Sequence, residues 1–219
     1  MLDRGLVKIN WNELDNLTEE DITYFLSLEG KTVEAICRIR KMDREEVQRQ
    51  IIEGKVKYRF LAKSKNEQEL FMTLCNAGKQ DKLSLLYGID VENRTKLLEF
   101  IRKKYSEMNS KHKETAIWII GELKASNFID ILNKALVHKH VNIRRMSVSA
   151  MGKLSEKTCE VPLIRALEDE NPQVVMYAVK ALLKLKSERA LEKVKQIYKS
   201  SEKDYLRNAA EEFIKTFEA

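Results

Sequence analysis

The sequence predicts an all-α chain organised as an α-solenoid of helical hairpins, with a smaller helical domain before it. Three observations carry this expectation. The 219 residues include only 7 Gly and 2 Pro, too few turn and bulge residues for an all-β fold, while Lys, Glu, Leu and Ala are plentiful and favour helix. Apolar residues recur at helical spacing along most of the chain. The C-terminal half also superimposes on itself at a shift of 31 residues, as stacked supersecondary units do.

The elements follow in order. Thr18-Glu-Glu-Asp21 is a capping-box-like start for a helix through Tyr24, Phe25 and Leu28 that ends at Gly30. Residues 32–39 place Val33, Ile36 and Cys37 on one face of a second helix. Residues 40–42 turn the chain, and Asp43 caps a third helix with Val47, Gln50 and Ile51. Three short helices with so tight a second connection describe a helix-turn-helix.

Residues 29–51 resemble the helix-turn-helix tails of RecQ-type helicases and many bacterial regulators. Ile36-Cys37 stand at that family's Ile-Ala pair, Met42-Asp43 at its apolar-Ser pair and Val47 at the buried position of the third helix, with Lys41 where glycine is common. The resemblance implies that Arg44, Gln48 and Arg49 face DNA bases or phosphates, and Lys55, Lys57 and Arg59 continue as a phosphate-contacting tail. Charge patterning agrees, since residues 1–30 carry two basic and seven acidic side chains and residues 38–65 carry ten basic and four acidic ones. Glu45 and Glu46, at the same helix start, oppose a phosphate contact.

Residues 66–75, 82–87 and 91–108 read as further helices, with stripes at Leu70, Phe71 and Leu74 and at Leu97, Leu98, Ile101 and Tyr105. The repeat register fades here, although Ile101 and Tyr105 fall in the columns of Leu132 and Leu136. This region is expected to be a divergent capping repeat.

The repeat itself is explicit. Residues 143–154 align with 174–185, backwards with 112–123 and, with one residue added to the shift, forwards with 206–217. One column holds Ala116, Ser147, Ala178 and Ala210, another Gly121 and Gly152, and a third Leu123, Leu154 and Leu185. In the second helices Leu132, Leu163 and Val194 share a column. Pro162 and Pro172 fit first helical turns, where a missing N–H is harmless. One hairpin has too little core to stand alone, so each shields the next.

Residues 161–174, followed by Ala178, Ala181 and Leu182, resemble the short HEAT-like repeats also found in phycobilisome-lyase-type proteins. That family's Val-Arg pair survives as Ile143-Arg144 and Leu206-Arg207, but Val175 replaces the arginine in between. The aspartate at Asp169 becomes His138 and Ser200 in the neighbouring repeats, so a regular Asp/Arg ladder is not expected. The resulting domain plan is a helix-turn-helix-like domain over 1–65, a connector over 66–109 and HEAT-like repeats over 110–219.

Enzyme signatures are missing: there is no Gly-rich phosphate loop, no G-x-S-x-G and no H-E-x-x-H. His112, His138 and His140 are too few for a metal site, Cys37 and Cys159 fall in core-facing columns, and no cofactor or small-molecule substrate is expected. The HEAT-like alkylpurine DNA glycosylases carry aromatic and acidic residues on a concave face. The second helices here offer Asp130, Lys134, Arg165, Glu192 and Lys195 without an aromatic, and likeness to bilin lyases rests on the repeat alone.

The expected function is therefore non-catalytic binding of another protein, with DNA as a further partner. The alternatives are a DNA-acting enzyme of the glycosylase type and a lyase-type accessory protein. Trp118 shares a column with Ser149, Lys180 and Glu212, and Val175 and Met176 replace polar residues. With Lys134 and Arg165 these form the candidate protein-binding set, since large side chains in desolvated pockets anchor interfaces. Three cysteines without CxxC spacing, the lack of an apolar signal core and apolar runs as short as 116–120 predict a soluble cytoplasmic protein without a membrane span.

Overall fold

The computed structural model describes residues 4–218, which are helical with no strand among them. The chain divides into two compact units, the first ending at Phe100 and the second beginning at Ile101.

The first unit contains α1 (Glu19–Leu28), α2 (Val33–Arg40), α3 (Arg44–Lys63), α4 (Glu67–Asn76), α5 (Lys79–Gly88) and most of α6 (Val91–Lys104). At the start of α1 the Thr18 hydroxyl accepts the Asp21 N–H while the Asp21 carboxylate accepts the Thr18 N–H, the reciprocal capping box that the sequence announces. α2 closes on Lys41 in the left-handed region at φ 54°, where glycine is the usual occupant.

α3 is the strut of this unit. It runs 20 residues, well beyond the short third helix expected, because the glycine inside it is a contact point and not a break. A Cβ at Gly54 would lie 2.3 Å from the Cβ of Tyr24, so only glycine lets α1 lie this close. The mid-helix glycine costs about 1 kcal/mol of propensity. It is offset by the aromatic seam it allows: Tyr24 and Phe25 are buried, and the Tyr24 and Tyr58 rings stack with centroids 5.6 Å apart.

Polar groups along this seam are paired, as burial requires. The Asp21 carboxylate accepts hydrogen bonds from Lys57 Nζ at 2.6 Å and from the Tyr58 hydroxyl at 3.0 Å. The Thr23 hydroxyl donates to Gln50 Oε1 at 2.6 Å. Burial pushes the Asp21 carboxyl upward, but the hydrogen bonds from Lys57, Thr18 and Tyr58 outweigh it and hold the group below the ordinary carboxylate range. Further along the unit, α5 begins at Lys79, three residues before the expected start. α6 ends at Lys104 and passes into a 3-10 turn, Tyr105–Glu107, where a continuous helix to residue 108 was expected.

The second unit holds α7 (Ser110–Glu122), α8 (Ile129–Leu136), α9 (Val141–Leu154), α10 (Glu160–Ala166), α11 (Pro172–Lys184), α12 (Leu191–Ser200) and α13 (Asp204–Glu218). The first helices α7, α9, α11 and α13 pack in sequence, and the second helices α8, α10 and α12 lie against the first helix that follows each of them. Ala116, Ile119, Ile120, Ile143, Val174 and Ala178 are wholly buried, the stripe that the columns foretell.

Close approach sets the stacking. A Cβ at Gly121 would lie 2.9 Å from the Cα and Cβ of Ala150, and one at Gly152 would lie 2.9 Å from the Cβ of Ala181. The same small-on-small contact therefore recurs one repeat later. The hairpin turns recur as well: Lys124, Ser155 and Lys186 adopt φ of 49°, 55° and 51°, each before a 3-10 turn that leads into the second helix. Ala125 N–H donates to Ile120 O at 3.0 Å and Ser187 N–H to Leu182 O at 3.1 Å, closing α7 and α11 as Schellman motifs.

Two expected outcomes follow from this packing. Gly152→Val should lower stability by roughly 1–3 kcal/mol, the usual penalty for overpacking, whereas Gly88→Ala, which meets nothing within 4 Å, should leave the melting temperature unchanged or slightly raised. Urea titrations of both variants test this, and equal stability would refute the contact. Asp21→Asn should cost about 1–3 kcal/mol at neutral pH. It should also flatten the acid limb of stability: the folded carboxyl titrates below its unfolded value of about 3.9, so its contribution is complete above that pH and fades as pH falls through the folded value.

Candidate protein-binding face

The second helices share one register. Ile101, Leu132, Leu163 and Val194 are all 0% exposed, so the column read from the sequence is the inward one in α6, α8, α10 and α12. Each residue turns a helix by about 100°, and two residues after Leu132 and Leu163 stand Lys134 and Arg165, both exposed to solvent. Between α8 and α10 runs an open groove of about 680 Å³, lined by Asn133, Leu136, Val137, Val161, Pro162 and Arg165. Val137 is 83% exposed and Val161 43% exposed.

One wall of the groove is rigid. Arg144 on α9 grips Asp169, in the loop after α10, with Nε to Oδ2 at 2.7 Å and Nη2 to Oδ1 at 3.0 Å. It also donates to the His138 carbonyl at 3.0 Å and to Glu170 at 3.0 Å. The two paired side chains are each 9% exposed, and a bidentate geometry of this kind is the strong form of the guanidinium–carboxylate pair. A second lock lies beneath α10: buried Glu160 accepts from Ser187 Oγ at 2.7 Å and from Lys157 and Arg189. The Ser187 hydrogen bond and the Lys157 ammonium hold its carboxyl below the usual range.

The sequence-predicted protein-binding residues separate into two groups. Lys134 and Arg165 are equivalent residues of the adjacent second helices α8 and α10, and Arg165 lines the groove. Trp118, Val175 and Met176 lie on the first helices α7 and α11, where Trp118 and Met176 are half-buried. Val175, at 5% exposure, is a packing residue. Val137, Val161 and Pro162 were not anticipated as a surface. Their signal was present in the columns, because Val161 aligns with Asp130 and Glu192, and Val137 with Glu168 and Lys199.

The expected DNA-contacting side chains are largely engaged with carboxylates. Arg44 pairs with Glu34 at 2.7 Å, Arg49 with Glu46 at 2.6 Å and Glu53 at 2.5 Å, and Arg59 with Asp81 at 2.8 Å. Lys57, expected in a phosphate-contacting tail, instead turns to buried Asp21. Gln48 and Lys55 remain exposed on α3. Half of the basic block is thus engaged in ion pairs, mostly with carboxylates outside it, while among the described residues Lys55, Lys63 and others of the block stand in none. Among the described residues no group of His, Cys, Asp or Glu converges as a metal site, and no helix is long and apolar enough to cross a membrane.

Residues 155–215 match the family model for HEAT repeats. The second unit is an array of helical hairpins, and its stretch 155–215 is similar to HEAT repeats. The crystal structure of an engineered protein is similar across 92% of this chain and 97% of its own, with a TM-score of 0.50 at 13% identity, a likeness of fold alone. No curated protein matches the chain.

The Arg144–Asp169 pair should behave as a structural lock. Arg144→Leu leaves a buried carboxylate unpaired and should cost roughly 3 kcal/mol. Lys193→Leu, which removes the exposed partner of Glu168, should leave the denaturation midpoint nearly unchanged. Comparable losses in the two variants would refute the lock.

Proposed function

We infer that this chain is a non-catalytic adaptor that holds another protein on the second-helix face of its HEAT-like repeats, centred on the α8–α10 groove. The observation that carries this reading is the exposure of Val137 and Val161 on a face otherwise built of charged and polar columns, beside a wall fixed by buried ion pairs. An apolar strip in a polar rim, held by a rigid scaffold, is the anatomy of a recognition surface. Surface valines add affinity only when covered, and the fixed wall lowers the ordering cost of binding.

The domain plan supports the same reading, with residues 1–65 as a helix-turn-helix-like part, 66–109 as a connector and 110–219 as the binding array. Duplex contact through α3 is the weaker reading, because it rests on Gln48 and Lys55 once Arg44, Arg49, Lys57 and Arg59 are paired. A DNA-acting enzyme lacks an observation in its favour.

A display selection of random peptides against the full chain tests the proposal. Enriched peptides should bind the wild type and lose at least about tenfold in affinity, 1.4 kcal/mol, against Val137→Asp/Val161→Asp, while Lys180→Asp on α11 has no effect. No enrichment, or enrichment insensitive to the valine changes, would sink this reading.

A further inference from the structure

We propose that the second-helix face takes an extended acidic segment of a partner protein, held in a polyproline-II-like conformation with a carboxylate at every third residue. This rests on the adaptor reading above and specifies the chemistry of its partner. The argument begins with register. Ile101, Leu132 and Leu163 are wholly buried equivalents in α6, α8 and α10, and two residues after each stands a cation: Lys103, Lys134 and Arg165, all exposed. From α6 to α10 the column is a row of positive charges, and it ends at Gln196 in α12.

Among the described residues none of these three cations stands in an ion pair, because the carboxylates of this face are engaged elsewhere. Arg102 takes Asp130 at 3.5 Å, Lys193 takes Glu168, Arg144 takes Glu170 at 3.0 Å and Lys195 takes Glu192 at 3.1 Å. The same helices therefore hold paired and unpaired charges side by side, and the unpaired ones in this column are all positive. This contrasts with α3, where the basic side chains Arg44, Arg49, Lys57 and Arg59 have acidic partners. A row of unneutralised cations beside an apolar groove is complementary to a chain that alternates carboxylates with apolar residues.

Spacing selects the conformation of that chain. α8 and α10 are in direct contact, and Arg102 of α6 reaches Phe128 and Asp130 at the start of α8, with its guanidinium 4.1 Å from the Phe128 ring. Helices in contact lie about 8–10 Å apart, so the cations recur at about that interval. A β-strand places same-face side chains only about 6.6 Å apart. Polyproline II repeats every three residues at about 3.1 Å each, which puts same-face side chains about 9.3 Å apart. Only the latter sets each carboxylate over its own cation. The intervening residues then meet the apolar floor at Leu136, Val137, Val161 and Pro162.

A nucleic acid would meet the same cations, but the apolar floor at Leu136, Val137, Val161 and Pro162 offers phosphates nothing. The acidic, Pro-rich segment fits both features.

Fluorescence anisotropy with the full chain tests the proposal, using a labelled Pro-Pro-Glu repeat peptide, a Pro-Glu repeat with the same number of glutamates, and a short mixed-sequence DNA duplex. The Pro-Pro-Glu peptide should bind at least about tenfold more tightly than the Pro-Glu peptide, and Lys134→Glu/Arg165→Glu should lose at least about tenfold of that affinity. The double variant should keep the wild-type melting temperature, since neither side chain is paired. Equal binding of the two peptides, or binding untouched by the double variant, overturns the proposal. Duplex binding that exceeds peptide binding and disappears in the double variant also overturns it, and assigns the cations to phosphate. Selected display peptides that need Val137 and Val161 but lack acidic spacing would overturn this inference while leaving the adaptor reading intact.

Discussion

The stack of first helices depends on one contact, the seating of a glycine against an alanine of the next repeat. Gly121 meets Ala150 and Gly152 meets Ala181 at distances that leave no room for a Cβ. Because protein interiors are close-packed and yield little, this contact fixes how near α7, α9 and α11 lie. Lys153 on α9 also reaches back to Glu122 on α7, so an ion pair flanks the seam. The second helices inherit their spacing from it, and the groove between α8 and α10 keeps its width because the layer behind it cannot slide.

Turn geometry carries that order from one layer to the other. Lys124, Ser155 and Lys186 all take a left-handed conformation that costs a non-glycine residue of order 1 kcal/mol, and they recur at the repeat period. The surrounding hydrogen bonds hold them there, so the second helix always leaves the first in the same direction. Polar locks add specificity at the loops. Ser147 donates to the Leu132 carbonyl at 2.7 Å and Glu160 accepts from Ser187, each tying one repeat to a neighbour, while Arg144 grips Asp169 within one hairpin.

How far this was legible in the sequence depends on whether a feature is periodic or pairwise. The helical class, the repeat, the buried columns and the Thr18 cap are patterns along the chain, and the structure has them. The left-handed turns were hidden, because Lys, Ser and Lys stand where glycine would have announced them. The length of α3 was hidden because nothing along the chain marks Tyr24 as the residue packed against Gly54. The candidate site divided in the same way. Lys134 and Arg165 are columnar and both exposed, whereas Arg44, Lys57 and Arg59 found acidic partners on α2, α1 and α5 that no local charge count reveals.

The two basic regions of this chain therefore differ in kind, despite similar composition. On α3, positive charge is internal glue: Lys57 neutralises a buried carboxylate, and Arg44 and Arg59 reach α2 and α5. Removing Lys57 leaves the buried Asp21 carboxylate without its cation. On α8 and α10, the acidic side chains Asp130 and Glu160 already have cations of their own, and among the described residues Lys134 and Arg165 stand in no ion pair. Side-chain charges left unpaired on a rigid, repeating surface contribute little to stability in high-dielectric solvent. Their spacing is instead imposed by the backbone, and that fixed spacing is what a partner of matching period can recognise.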